Sequence, residues 1–206
     1  MKLNWANRFT ILRILLIVPF VSLMLKTNDP RFGTGVRYTA ILVYLLMAIG
    51  DALDGYFARK KGQVTRLGAF LDPVADKLLI TCACLLLTSP RGRIGDVFLP
   101  PTVVVLIIGK DLFLVIGFVI VYFLTSQIRI APVFIGKLAT ALQLSMVAGI
   151  LIAPEVLRVF PGWIWLLRTI WWSAAGSAIL VALIYIRNGI RYIEEYEQKQ
   201  ANKAQH

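Results

Sequence analysis

Apolar residues run along this chain in six long stretches, at approximately 10–25, 37–57, 67–88, 101–124, 133–153 and 164–186. Each is close to the roughly 20 mostly apolar residues that a helix needs to cross a hydrocarbon core. Polar or Pro- and Gly-rich breaks separate them: Thr27-Asn28-Asp29-Pro30-Arg31, Arg59-Lys60-Lys61-Gly62-Gln63, Ser89-Pro90-Arg91-Gly92-Arg93, Thr125 to Pro132, and Pro154 to Gly162. Proline removes a backbone donor and glycine relaxes the chain, so these breaks end helices for a physical reason. The pattern predicts an all-α integral membrane protein with six transmembrane helices. Residues 1–13 predict an N-terminal interfacial helix, with Trp5 and Phe9 at headgroup level and Lys2, Arg8 and Arg13 beside phosphates. The first run has no convincing small-residue cleavage site, which argues against a signal peptide. The stretches fill most of the chain, so one domain spanning 1–206 is expected, with Arg187 to His206 as a solvated helical extension.

Composition sharpens this picture. Of 206 residues, 58% are hydrophobic and 16% charged, against about 45–50% and about 25% in soluble domains. A chain of 23.0 kDa cannot bury that excess from water, which excludes a soluble enzyme, a disordered chain and a disulfide-stapled module. Lys and Arg total 22 against 11 Asp and Glu, a net charge of +11. The cations lie mostly between apolar runs, pointing to an anionic lipid membrane and phosphate-bearing substrates. With no basic–aromatic platform, nucleic acid is not an expected partner. Six spans put both termini on one side, and the moderate basic bias places that side in the cytoplasm. Cys82 and Cys84 read as two small buried hydrophobes rather than a redox or metal pair. The only histidine is the terminal His206, which leaves no histidine-based catalysis.

Against this background four carboxylates stand out. Asp51 and Asp54 close the second run, and Asp72 and Asp76 open the third. A charge at membrane depth costs several kcal/mol, about 2.5–3.5 on insertion scales. The i,i+3 and i,i+4 spacings put each pair on one helix face, and the short basic loop predicts that the two helices are antiparallel neighbours. Four converging anions must be relieved, by protonation or by divalent cations such as Mg²⁺, Mn²⁺ or Ca²⁺. Two metals can clamp a transferring phosphoryl group. Gly55 and Gly68 allow close backbone approach, Ala58 leaves room, and Arg59 can neutralise a pyrophosphate. Two other readings compete: buried salt bridges to Lys77, Arg59 or Lys60, and a proton or cation pathway of a transporter. A transporter should show paired broken helices in two halves, whereas the polar residues here concentrate in one half.

Residues 51–76, DALDGYFARKKGQVTRLGAFLDPVAD, resemble the signature of the CDP-alcohol phosphatidyltransferase family, D-x2-D-G-x2-A-R-x8-G-x3-D-x3-D. Asp51, Asp54, Gly55, Ala58, Arg59, Gly68, Asp72 and Asp76 match every fixed position. The resemblance implies six spans and two divalent metal ions, Mg²⁺ or Mn²⁺, held by Asp51, Asp54, Asp72 and Asp76. Asp76 would also be the catalytic general base. Gly55, Ala58, Arg59 and Gly68, with Asp51 and Asp72, would bind the CDP moiety. The implied reaction transfers a phosphatidyl group from CDP-diacylglycerol to an alcohol, releasing CMP. The family also implies a homodimer, in a bacterial inner membrane with the active site facing the cytoplasm.

The acceptor is less plainly marked. Asn7 to Arg13 resembles the P-N-x-L-T-x-x-R element of the phosphatidylglycerophosphate and cardiolipin branch, with Ala6 and Phe9 departing from it. Gly136-Lys137-Leu138-Ala139-Thr140-Ala141-Leu142-Gln143 resembles that branch's G-K-x-x-T-x-x-Q element. Lys110, Asp111 and Lys137 are the candidate acceptor-binding residues, although adjacent helix positions such as 110 and 111 do not face each other and Lys137 could simply snorkel. The arginine expected after Asp111 is missing. That favours phosphatidylglycerol as acceptor, a cardiolipin synthase, over glycerol 3-phosphate.

Overall fold

The structure, a computed structural model, describes residues 5–29, 31, 34–61, 66–125 and 134–204. The side chains at 5–9, 51–73, 118, 122, 125, 134, 197 and 199–204 lie outside that description. Seven helices follow one another: α1 (Trp5–Met24), α2 (Gly35–Lys61), α3 (Arg66–Leu87), α4 (Pro101–Thr125), α5 (Phe134–Leu151), α6 (Ala153–Val159) and α7 (Trp163–Ala204). The described residues contain no strand, only an isolated bridge between Ile94 and Val97. The all-helical class therefore agrees with the apolar pattern.

Each of the six apolar runs lies mainly within one long helix. The number that cross a membrane is a different matter. Among the described residues, Pro101–Val121 of α4 and Trp163–Tyr196 of α7 are long and apolar enough to do so. A third span results if α5 and α6, which meet at a 70° bend, count as one broken crossing. Thr10–Met24 and Gly35–Gly50 are shorter apolar helices, each running to the edge of the residues whose side chains are described. Six helices of spanning character are thus not established.

Two further expectations change. The interfacial helix has no boundary of its own, because α1 continues unbroken from Trp5 into the first apolar run and contains Pro19. The break expected from Pro154 to Gly162 includes a short helix, since proline in the first helical turn is already set for helix geometry. Helix α1 packs against both α2 and α3, whereas α2 and α3 make no mutual contact among the described residues. The antiparallel meeting expected of α2 and α3 around 51–76 falls where the side chains through 73 lie outside the described residues. The tail behaves as expected: α7 runs 42 residues without interruption to Ala204.

Helices α1, α2 and α3 form one group, while α4, α5 and α7 form another. Contacts of α2 and α3 with α5, and of α3 with α4, join them. Phe20, Met24, Tyr44, Met47, Leu79, Leu87, Ile107, Met146 and Ile150 are buried at the shared core. The Phe20 and Tyr44 rings lie 5.9 Å apart. Cys84 belongs to this core and Cys82 flanks it, both as free thiols. Ala174, Ala175 and Ala178 are also buried on α7. Small residues of this kind let helix backbones approach closely, the principal source of helix association where the solvent is itself apolar. Outside, Val105, Phe123 and Trp165 are exposed, while Thr10, Arg13 and Gln143 are buried. Apolar outside with polar groups inside is the arrangement of a protein solvated by lipid.

The end of the bundle formed by the α1–α2, α3–α4 and α5–α7 connections is tied by polar contacts. Asn28 Nδ2 donates to the carbonyls of Pro90, Arg91 and Arg93. Gly92 could not carry a Cβ, which would fall 2.5 Å from the Leu86 carbonyl oxygen, and Gly95 has φ +55°. Arg37 holds both carboxylate oxygens of Glu155 on α6, and Tyr38 donates to Oε1 at 2.9 Å.

In the core, the buried Tyr44 hydroxyl donates to the Leu144 carbonyl at 2.7 Å, linking α2 to α5. We expect Tyr44→Phe to destabilise the protein by about 1 kcal/mol, read as a lowered unfolding midpoint in detergent.

Candidate active site

Two ionic groups lie inside the bundle. The first joins α1 to α3: Arg13 Nη1 donates to Asp76 Oδ1 at 2.7 Å. The Arg13 side chain is only 3% exposed, against 31% for Asp76. Arg13 was expected at headgroup level, and the structure corrects this. Thr10 and Arg13 sit one turn apart and are both buried, so this face of α1 turns inward, and a guanidinium there requires a counter-charge. Of the expected salt-bridge partners, Lys77 does not pair with Asp76.

Lys77 instead joins α3 to α4. Its Nζ donates to Asp111 Oδ1 at 2.9 Å, and Lys110 Nζ lies 3.1 Å from the same oxygen. Lys110 and Asp111 are neighbours in sequence and were not expected to face each other. The long lysine stem nevertheless brings its ammonium back to the adjacent carboxylate. Two ammonium groups therefore share one carboxylate, leaving a local excess of one positive charge.

The two groups share a level. Arg13 precedes the end of α1 at Met24 by eleven residues, and Asp76 precedes the end of α3 at Leu87 by eleven. Asp111 follows the start of α4 at Pro101 by ten. At 1.5 Å per residue, each is about 15–16 Å from that end of the bundle. One ionic layer thus crosses α1, α3 and α4.

The remaining signature residues are placed only by backbone. Asp51, Asp54, Gly55, Ala58 and Arg59 lie on α2, and Gly68 and Asp72 on α3. Their side chains lie outside the described residues. The helical backbone through 51–54 and 72–76 keeps each aspartate pair on one face. Carboxylates are the donor chemistry that a hard divalent ion takes, and Asp76 is engaged by the Arg13 guanidinium. Among the described residues no group of three or more His, Cys, Asp or Glu could hold a metal. Lys137 is exposed near the start of α5, and no ion pair links it to Asp111 among the described residues. The sequence reading did not assign Arg13 to Asp76 or Lys77 to Asp111. A usable signal was present: each cation lies in an apolar helix, where it needs a carboxylate of its own.

A family model described as CDP-alcohol phosphatidyltransferase matches residues 3–188. The chain is 32% identical over 167 residues to a Bacillus subtilis (strain 168) protein named CDP-diacylglycerol--glycerol-3-phosphate 3-phosphatidyltransferase, covering 77% of this chain and 82% of that one. It is 31% identical over 162 residues to a protein of the same name from Escherichia coli (strain K12), covering 79% and 84%. The acceptor in the names of these relatives is glycerol 3-phosphate, the alternative expected from the sequence, and not phosphatidylglycerol. The family match also displaces the transporter reading.

Replacing Asp111 by Asn would leave the Lys77 and Lys110 ammonium groups facing each other without a carboxylate. We expect a loss on the order of 2–4 kcal/mol, measured by unfolding in detergent, with Lys110→Met in the same chain restoring part of it. For Arg13→Gln a loss of about 1–3 kcal/mol is expected, because Asp76 retains some exposure.

Proposed function

Because the chain belongs to the CDP-alcohol phosphatidyltransferase family, we propose that it transfers the phosphatidyl group of CDP-diacylglycerol to a hydroxyl of glycerol 3-phosphate. The acceptor oxygen attacks the lipid-side phosphorus, the bond from that phosphorus to the bridging oxygen breaks, and CMP leaves with that oxygen. Asp76 takes the proton from the attacking hydroxyl. Arg13 holds Asp76 in position through the 2.7 Å bond. Asp51, Asp54, Asp72 and Asp76 would hold Mg²⁺ or Mn²⁺, which when bound supplies neutralisation of charge on the phosphoryl oxygens. Gly55, Ala58, Arg59 and Gly68, with Asp51 and Asp72, receive the CDP moiety. No covalent enzyme intermediate is required.

The choice of acceptor rests on one observation beyond the relatives' names. The preference for phosphatidylglycerol came from a missing arginine after Asp111. Helix α3 brings Lys77 to Asp111, and this supports a reading in which Lys77 and Lys110 together would meet a phosphate monoester. Lys137 is a further candidate contact at the start of α5. The same proposal includes one domain over 1–206 and a homodimer in an anionic bacterial inner membrane, with termini and site toward the cytoplasm. The basic bias of the chain termini supports that orientation.

The direct test is CMP release from CDP-diacylglycerol by the purified chain, with the lipid product identified. Glycerol 3-phosphate should support release with Mg²⁺ or Mn²⁺, and a chelator should abolish it. Phosphatidylglycerol as the better acceptor would overturn the substrate choice. Asp76→Asn should lower kcat by about 10²–10⁴-fold. Lys77→Ala should raise KM for glycerol 3-phosphate about tenfold with a smaller change in kcat.

A further inference from the structure

A second polar concavity lies at the other end of the molecule. Its volume is about 320 Å³, and its lining includes Asn28, Asp29, Arg37, Arg93, Gly95 and Arg158. Arg37 is 14 residues before Asp51 on α2, about 21 Å along the helix axis. The pocket is therefore remote from the signature residues.

Its three arginines are unequally satisfied. Arg37 is bound to both oxygens of Glu155 and is structural. Arg93 reaches only Asp96, at 3.7 Å, and that carboxylate is fully exposed, so the pair contributes little. The Arg93 Nε is buried with no hydrogen-bond acceptor, an unmet donor of the kind that costs stability. Arg158 on α6 makes no ion pair among the described residues. The facing carboxylate is Asp29, whose Oδ1 accepts the Arg31 backbone N–H. Arg37 is offset by Glu155, and Asp96 and Asp29 balance Arg93 and Arg158 in formal charge, so the pocket offers guanidinium donors without a close carboxylate partner among the described residues rather than surplus charge. The walls are held by the three Asn28 bonds to the 90–93 segment and by the Arg37–Glu155 clasp. The cations are thus presented on a fixed frame.

We propose that this pocket binds a phosphate group, using Arg93 and Arg158 as its ligands. The chemistry is that of a phosphate mono- or diester met by guanidinium donors. Two sources share it, the headgroup of an anionic lipid in the facing leaflet and free phosphate. The site is distinct from the ionic layer and does not depend on the acceptor assigned above.

The test uses the full chain in uncharged detergent, with unfolding midpoint as the readout. Phosphatidylglycerol, phosphatidylcholine and inorganic phosphate are titrated separately. Stabilisation by phosphatidylglycerol alone identifies a lipid headgroup as the ligand. Stabilisation by inorganic phosphate as well shows that the phosphate group suffices. In either case Arg93→Gln and Arg158→Gln should each raise the half-saturating concentration about tenfold. Arg158 is exposed, so its variant should fold normally. Arg168→Gln, which removes a charge stacked on Trp165 outside the pocket, should change it less than twofold. The proposal is overturned if neither phosphate source stabilises, if the pocket variants respond like the parent, or if Arg168→Gln loses as much as they do.

Discussion

A charge carried into an apolar helix bundle must meet a counter-charge brought by another helix. That constraint organises the interior of this protein. Desolvating a guanidinium or a carboxylate costs several kcal/mol, and no water in a hydrocarbon solvent repays it. Arg13 on α1 answers Asp76 on α3, and Lys77 on α3 answers Asp111 on α4. Each pair spans two helices, so it fixes their relative register as well as their charge. The three helices are thereby pinned at one level, beside aspartates whose positions the helix backbone already dictates.

The same constraint separates what could be read from the chain and what could not. The helices were legible because apolar runs and their Pro and Gly breaks are local. The family was legible because the spacing of Asp51, Asp54, Gly55, Ala58, Arg59, Gly68, Asp72 and Asp76 is a property of a single segment. The partner of Asp76 was not, because Arg13 lies 63 residues away and on its own looks like any cation near a membrane surface. The partner of Lys77 was not legible either, because Asp111 lies 34 residues on and on another helix.

The acceptor question shows how such a miss propagates. Judged by α4 alone, the chain lacks a cation after Asp111, and phosphatidylglycerol becomes the better guess. In three dimensions α3 brings a cation, Lys77, to Asp111. A charge count along one helix underestimates a site whose walls belong to several.

Pro19 lies between the two working halves of α1. The N-terminal half carries Thr10 and Arg13, while the C-terminal half anchors Phe20 and Met24 in the core. Proline has no amide hydrogen, so the Leu15 carbonyl loses its usual helical donor. Flexing α1 at that point therefore sacrifices one hydrogen bond fewer than flexing it elsewhere, and the guanidinium can tilt about an elbow while the lower half of the rod stays seated.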